Sequence, residues 1–342
     1  MTVDSSQQFQ RCNSLPKTTL FLLLSALTSP SIAWGQLAKP LEPKTSHQDT
    51  YAESITAVAD FSDGTYLLVQ YFVTNVGMGS GKGACKVIVL KKGEEPYSEG
   101  EEVKKSKWGY ERESQMLKMA RCSIQNQKDG VALVGTVEDF SFDLKYQTRA
   151  KHIPIPDSFL SNGKDFYEYE IYVPWSRVSG HLTRKNQEPV AVSGFGAVDH
   201  SRSTTMPRDI ASRWIHFLGL HEGKRCIVRM RFPNEKTPPS VWIWREGESK
   251  PTLLGSMQFT AMDKVPEGDG FKLEAKLKDD HLVFTVQTFL YRYAPLEEYG
   301  LLGAMLQPWV GKPETRTYRA NLKDAKTGID SPGILSISSN YK

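Results

Sequence analysis

Hydrophobic side chains recur at every second residue in one segment after another of this chain. Phe271, Leu273, Ala275 and Leu277 alternate with Lys272, Glu274, Lys276 and Lys278. Phe140, Phe142, Leu144 and Tyr146 alternate with Ser141, Asp143 and Lys145, and Cys226, Val228, Met230 and Phe232 with Ile227, Arg229 and Arg231. Successive side chains of a strand point to opposite faces, so a period of two describes half-buried antiparallel strands rather than helices. Gly64–Val76 and Val283–Tyr293 are apolar on both faces. Each is expected to be covered by a neighbour on one side and to line a cavity on the other.

Turn residues punctuate these runs: Ser62-Asp63-Gly64, Lys128-Asp129-Gly130, Ser161-Asn162-Gly163 and Pro266–Gly270. Asp-Gly and Asn-Gly pairs close hairpins because their residues tolerate positive φ. Short strands spaced by such turns indicate a sandwich or barrel. Leu296, Tyr299, Gly303 and Leu306 instead fall at helical spacing, which Pro308 and Gly311-Lys312-Pro313 end, so a short helix is expected there. Segments 94–107 and 112–126 are charged and weakly patterned and read as loop with one strand. The turn-rich stretch Thr183–Glu188 is the candidate boundary between two β halves.

The N-terminus reads as a leader. Arg11 and Lys17 precede the apolar run Thr18–Leu27, and Ala33-Trp34-Gly35 places small residues where a signal peptidase reads. The run is shorter than the roughly twenty residues of a membrane span. Residues 1–35 are therefore expected to be a signal peptide and 36–49 a linker, with the protein secreted or periplasmic. The chain carries a net charge of +4, and removing Arg11 and Lys17 against Asp4 leaves +3, with the basic residues scattered. That balance gives no reason to expect nucleic acid. Cys85, Cys122 and Cys226 follow the leader; Cys85 and Cys122 lie in one half and could bridge neighbouring strands, or all three could be small buried residues.

The stretch Tyr167–Leu220 holds the candidate chemistry. An alternating aromatic strand ends in Pro174-Trp175, a glycine-spaced strand Gly194-Phe195-Gly196 leads to Asp199-His200, and Trp214 and His216 follow. An ionisable pair at the end of an apolar strand suits acid–base work, because burial raises a carboxylate toward the neutral range where histidine already titrates. Adjacent strand residues face opposite ways, so the two can share a cavity only if the strand ends or bulges there. Ser201–Pro207 is expected to end it. Trp242 and Trp244 flank Ile243 and share a face, expected over a barrel lumen. His216 shares the face of Trp214 on a regular strand and would join His200. Gly79–Gly83 lacks phosphate-loop spacing and reads as a hairpin. No His-x-x-x-His pair, Gly-x-Ser-x-Gly elbow or zinc-type cysteine spacing occurs, so neither metal nor cofactor is expected.

The order of these features, aromatic strand, Pro-Trp, glycine, then Gly-aromatic followed shortly by Asp-His, and Trp-x-His, resembles the superfamily of carotenoid 1,2-hydratases, AttH proteins and survival-factor-type proteins. Asp60–Gly77 resembles its early hairpin, and Gly303–Lys342, with Trp309–Pro313, Thr317-Tyr318-Arg319 and Gly333-Ile334-Leu335, its closing segment. The resemblance implies an all-β fold of two lipocalin-like (calycin) antiparallel β-barrels with the short C-terminal helix, divided into 50–192 and 193–342. It implies Asp199 and His200 as catalytic residues, with Trp175, Trp214, His216, Trp242 and Trp244 around a ligand. Hydratase members typically continue Asp-His with Asn-Trp-Gly, whereas Ser201-Arg202-Ser203 follows here. A tryptophan wall is missing at that position, which weakens carbocation chemistry. The leading expectation is an exported carrier of a hydrophobic lipid or isoprenoid, compatible with peripheral contact to a membrane surface. The alternative is a hydratase or cyclase acting on a polyene or terpenoid through Asp199 and His200.

Overall fold

The computed structural model describes residues 39–75, 81–155, 160–161, 165–205, 207–232, 240–255, 258–259, 265–276, 280–298, 307 and 311–341. The expected leader, Gly79-Ser80 of the glycine hairpin, Asn162-Gly163, and positions 299–306 of the helical pattern lie outside the described residues.

The first sheet takes β1 (Ala52–Phe61), β2 (Tyr66–Thr74), β3 (Lys82–Leu90), β4 (Tyr97–Val103), β5 (Trp108–Glu111), β6 (Met116–Met119) and β7 (Cys122–Gln127). It continues with β8 (Gly130–Val137), β9 (Phe140–Tyr146), β10 (Ile153–Pro154), β11 (Leu160–Ser161), β12 (Phe166–Arg184) and β13 (Val190–Ser203). After a helical turn, α1 (Pro207–Ile210), the second sheet takes β14 (Arg213–Gly219), β15 (Cys226–Phe232), β16 (Ser240–Arg245), β17 (Thr252–Gly255) and β18 (Gln258–Phe259). It ends with β19 (Lys272–Lys276), β20 (His281–Tyr293), a second helical turn α2 (Pro295–Glu298), β21 (Lys312–Asp324) and β22 (Asp330–Tyr341). All described pairings are antiparallel. The all-β, lipocalin-like architecture is thus present, and α2 begins where the helical spacing begins.

The first sheet runs β4-β3-β2-β1-β13-β12-β9-β8-β7-β6-β5, with β10 and β11 also on β12. It curls until its ends meet. The Cys85–Cys122 disulfide joins β3 to β7 with Cα atoms 6.4 Å apart. Tyr71 on β2 donates to the Ser123 carbonyl at 2.7 Å, and Tyr97 on β4 to that of Val137 at 2.7 Å. Its interior is filled by Phe140, Phe142, Tyr71, Tyr146 and the disulfide. Gly135 makes room there: a Cβ would stand 2.5 Å from Phe142 and 3.0 Å from the Cys122 sulfur. A bridge across a loop of 37 residues stabilises mainly by restricting the unfolded chain, by about 4 kcal/mol. Cys85→Ser with Cys122→Ser is expected to lower the urea midpoint accordingly, and dithiothreitol to lower the wild-type midpoint to the same value; an unchanged midpoint in both would refute the bridge.

The second sheet, in the order β17-β16-β15-β14-β22-β21-β20-β19-β18, curls around Phe217, Phe284, Tyr318 and the aliphatic residues of its alternating strands. The chain passes from first sheet to second between Ser203 and Arg213. The stretch around Thr183–Glu188 ends β12 and turns into β13, with Asn186 at φ 61°. Position 192/193 therefore falls inside β13.

Two local readings are corrected. Segments 94–107 and 112–126 hold β4, β6 and most of β7, with β5 between them, rather than a loop with one strand. β4 and β5 are sheet edges, where charged residues such as Glu99, Glu101 and Glu102 blunt the strand against unwanted pairing and erase the alternating pattern. Nor does β13 end at Ser201: its ladder with β1 runs on through Arg202↔Glu53 and Ser203↔Ala52.

Candidate functional site

A third apolar layer lies between the two sheets. From the first sheet it takes Tyr167, Tyr169, Ile171 and Ala197, and from the second Leu218, Ile227, Trp242 and Trp244. Aromatic pairs span it: Tyr167 with Trp214 at 5.3 Å between centroids, Tyr169 with Trp242 at 6.1 Å and Trp175 with Trp244 at 5.0 Å. At its edge Arg319 on β21 donates to Asp60 on β1 at 2.7 Å.

The long strand β12 supplies both faces of this arrangement. Phe166 to Ile171 alternate regularly, with Tyr167, Tyr169 and Ile171 toward the second sheet. Pro174 has no N–H for the ladder, and the register with β13 slips between Ile171 and Val173 and again between Val173 and Ser176. Such bulges re-aim side chains, and here Trp175 joins the inter-sheet layer. Gly194 and Gly196 on β13 answer a close approach: a Cβ at Gly194 would stand 2.1 Å from the Asp60 carbonyl, and one at Gly196 2.5 Å from the Tyr146 ring.

Within this layer opens a cleft of about 390 Å³. Ser54, Thr56 and Val58 of β1, Tyr66, Leu68 and Gln70 of β2, and Asp199 and Ser201 of β13 form one wall. Trp214, His216 and Leu218 of β14, Arg229 of β15, and Ser336 and Ser338 of β22 form the other. The cleft is amphipathic, with an aromatic and aliphatic part and a hydroxyl-rich part. Trp242 lines a small recess beside it with Tyr167, Tyr169, Trp214 and Arg229. Trp242 and Trp244 therefore face the inter-sheet layer and not a lumen; the residues between and before them, Ile243 and Val241, fill the lumen.

Asp199 and His200 part company because β13 stays regular. Asp199 lines the cleft, and its Oδ2 accepts a hydrogen bond from the Tyr169 hydroxyl at 3.1 Å. Burial pushes its carboxyl up to about 6, held from rising further by the Arg229 charge and the Tyr169 hydrogen bond. His216 lines the same cleft, and burial followed by the neighbouring Arg229 charge pushes its imidazole down to about 3, so it is neutral. His216 and Asp199 thus share a cavity, while His200 does not join them.

His200 sits on the opposite face, 1% exposed, against the first sheet's core. Its Nε2 lies 2.7 Å from Glu53 Oε1 and its Nδ1 3.5 Å from Glu170 Oε2, with the ring stacked on Tyr172 at 5.2 Å. Tyr51 donates to Glu53 at 2.6 Å, the Lys44 amide donates to both Glu53 oxygens at 3.0 Å, and His152 reaches Glu170 at 3.2 Å. Burial works against charge on His200, yet the hydrogen bonds and charges of Glu170 and Glu53 outweigh it and raise its pKa. Burial likewise opposes ionisation of Glu53 and Glu170, and the histidines and their hydrogen bonds lower both. The cluster is a buried ion network. Its carboxylates approach different ring nitrogens instead of converging on one point, and among the described residues no such group is arranged to hold a metal ion.

Tyr169, Arg229 and Glu53 were not singled out in the sequence. Arg229 reads there as the solvent side of an alternating strand; the signal against that was Ile227, an apolar residue on the same face.

Two curled antiparallel sheets with a ligand-sized cleft between them define a two-part lipocalin-like protein. Solved structures of that kind are similar over most of the chain. A protein from Nitrosomonas europaea given the name AttH is 11% identical at a TM-score of 0.61, covering 89% of this chain and 100% of that one. Kievitone hydratase from Nectria haematococca is 11% identical at 0.57, covering 85% and 89%. CghA, in its structure with Sch210972, is 9% identical at 0.56, covering 89% and 95%. The chain has the AttH- and hydratase-like double lipocalin-like fold. No protein-family model matches the sequence, and no curated protein matches it.

Proposed function

We propose that this protein binds a small, largely apolar molecule in the cleft between its sheets, as an exported carrier. The observation that carries this is the cleft itself: its volume of about 390 Å³ lies within the range of small-molecule sites, whereas the interiors of both sheets are filled by side chains. Export is supported by the N-terminal pattern and by the Cys85–Cys122 disulfide, since such bridges persist in oxidising compartments. The ligands named for CghA and kievitone hydratase support a small-molecule site in this fold.

Titration with fatty alcohols and isoprenoid alcohols is expected to quench tryptophan emission at micromolar concentration, since Trp214 lines the cleft. Ser336→Trp, which places an indole in the cleft opposite Thr317, is expected to abolish binding and leave the melting temperature within a few degrees. Quenching that survives this substitution would place the ligand elsewhere and sink the reading.

A second reading, an enzyme moving a proton, is favoured by one observation: burial holds Asp199 near pKa 6 in the cleft with Tyr169 donating to it. A carboxyl so poised can deliver a proton near neutral pH. The aromatic wall absent after His200 is supplied by Tyr169, Trp214 and Trp242 from other strands. Arg229 lies against the faces of Tyr169 and Trp214, and its charge would oppose a carbocation there. Proton transfer to an enol or enolate fits this cleft better than hydration of an unactivated polyene. Conversion products by mass spectrometry, lost in Asp199→Asn with binding retained, would favour catalysis.

A further inference from the structure

Arg229 is held unlike Arg245, Arg292, Arg316 and Arg319. Arg245 reaches Asp324 at 2.6 Å, Arg292 and Arg316 reach Glu314 at 2.7 and 2.9 Å, and Arg319 reaches Asp60 at 2.7 Å. Among the described residues no carboxylate stands within ion-pairing distance of Arg229. Its guanidinium carbon lies instead 3.6 Å from the centroid of Tyr169, 4.8 Å from that of Trp214 and 6.0 Å from that of Tyr167. One nitrogen, Nη2, donates to the Tyr167 hydroxyl at 2.6 Å.

A guanidinium has five N–H donors and keeps its charge at any pH a protein meets. Taking it out of water is unfavourable unless an opposite charge and hydrogen bonds compensate. Aromatic faces supply part of that, about 0.5–2 kcal/mol each in general, and they also fix the planar group in place. What they cannot supply is a pair of acceptor oxygens. The group lines both the cleft and the recess beside it. Asp199, which also lines the cleft, accepts from Tyr169 and acts on Arg229 through its charge without pairing with it directly. His216, across the strand pair from Arg229, is neutral and brings no negative charge. The site is therefore a fixed cation with planar donor geometry and no carboxylate in direct contact, lining an amphipathic cleft.

We propose that Arg229 anchors a carboxylate on the ligand, so that the cleft takes an amphipathic acid, head at Arg229 and apolar body along Val58, Leu68 and Leu218. This inference rests on the cleft being the ligand site. It adds the head group, and it makes charge rather than chain the discriminating feature. A planar carboxylate can accept two parallel N–H bonds from a guanidinium, which an alcohol or ester cannot match.

The test compares dodecanoate, dodecanol and methyl dodecanoate, each below its micellar or solubility limit, by tryptophan quenching and calorimetry. Dodecanoate is expected to bind about tenfold or more tightly than either neutral probe. Arg229→Gln is expected to bring the three to similar affinities, and Arg229→Lys, which keeps the charge without the fork, to retain part of the preference. Equal binding of the three probes by the wild type would overturn the carboxylate assignment while leaving the apolar cleft intact. So would an undiminished preference in a folded Arg229→Gln or Arg229→Lys variant. Failure of every probe to bind would overturn the cleft reading and this inference together. The wild-type comparison holds whether or not a variant folds.

Discussion

Replacing His200 by alanine is expected to lower the unfolding free energy by about 3–5 kcal/mol, whereas Asp199→Asn is expected to leave stability unchanged or raise it at neutral pH. The two residues are neighbours in the chain and opposites in role. His200 compensates Glu53, itself 2% exposed, and its removal leaves that carboxylate buried without its cation. The pH dependence follows from the directions of the shifts. The folded pKa of His200 lies above its ordinary 6.5, so its contribution is complete below that value and is lost as pH rises through the folded one. Glu53 and Glu170 lie below their ordinary 4.5, so theirs is complete above that value and lost as pH falls through the folded ones. The gap between wild type and His200→Ala should be widest between about pH 4.5 and 6.5. Asp199 has the opposite sense: ionising it in the fold is unfavourable, from its ordinary 3.8 up to about 6. The gain from Asp199→Asn should therefore be absent below about pH 4, grow from there to about pH 6, and level off above it. Thermal melts of both variants across pH 3–8 check this. A His200→Ala protein as stable as the wild type, or an Asp199→Asn protein weakened to the same degree as His200→Ala, would overturn the division of roles.

The strands were legible because alternation is local. Phe140–Tyr146, Cys226–Phe232 and the segment around Leu273 and Ala275 are strands where the pattern places them. Edge strands were not, since β4 meets water on much of its surface and carries the charges that keep an edge from pairing. The cleft was half legible. Trp214 and His216 share it because β14 is regular, and Asp199 lies there too. Arg229 and Tyr169 meet across 60 residues and two sheets, and no spacing in the chain announces that encounter. The persistence of β13 past Ser201 was hidden for a related reason: Ser-Arg-Ser reads as a loop, yet Arg202 is held by Glu168 at 2.5 Å and Ser201 by Ser54 at 3.1 Å on the flanking strands. Tertiary partners, not local propensity, extended the strand.

Arg245→Leu is expected to lower the unfolding free energy by about 3–5 kcal/mol, and to weaken ligand binding only through that loss. Arg245 ends β16 and ties three chain reversals together. It donates from Nε to Asp324 at 2.6 Å and from Nη2 to Asp280 at 2.8 Å, with Glu248 at 3.5 Å from Nη1. Asp324, wholly buried, also accepts from the Thr327 hydroxyl at 2.8 Å and the Lys326 amide at 3.0 Å. Burial raises the pKa of Asp280, and the charge of Asp324 adds to this against the pull of Arg245. For Asp324 the hydrogen bonds from Arg245 and Thr327 outweigh burial and lower it. Leucine would leave two neighbouring carboxyls without a cation, so Asp280, whose pKa burial and Asp324 already raise, should take up a proton at a higher pH than in the wild type. Its pairing with Arg245 is lost in the variant at every pH, but the penalty of the uncompensated charges disappears once both are protonated. The variant should therefore recover part of its deficit between pH 7 and pH 4, and adding Asp280→Asn and Asp324→Asn should recover part of it at pH 7. Arg245→Lys should fall between, since a point charge cannot address two carboxylates with the reach of a fork. Urea midpoints at the two pH values measure each of these, and an Arg245→Leu midpoint equal to wild type at pH 7 would refute the argument. The consequence for function is a separation of two arginines. Arg245 fixes the sheet that supplies one wall of the cleft, so its loss should shift stability first. Loss of Arg229 should shift ligand preference, with the melting temperature changed far less.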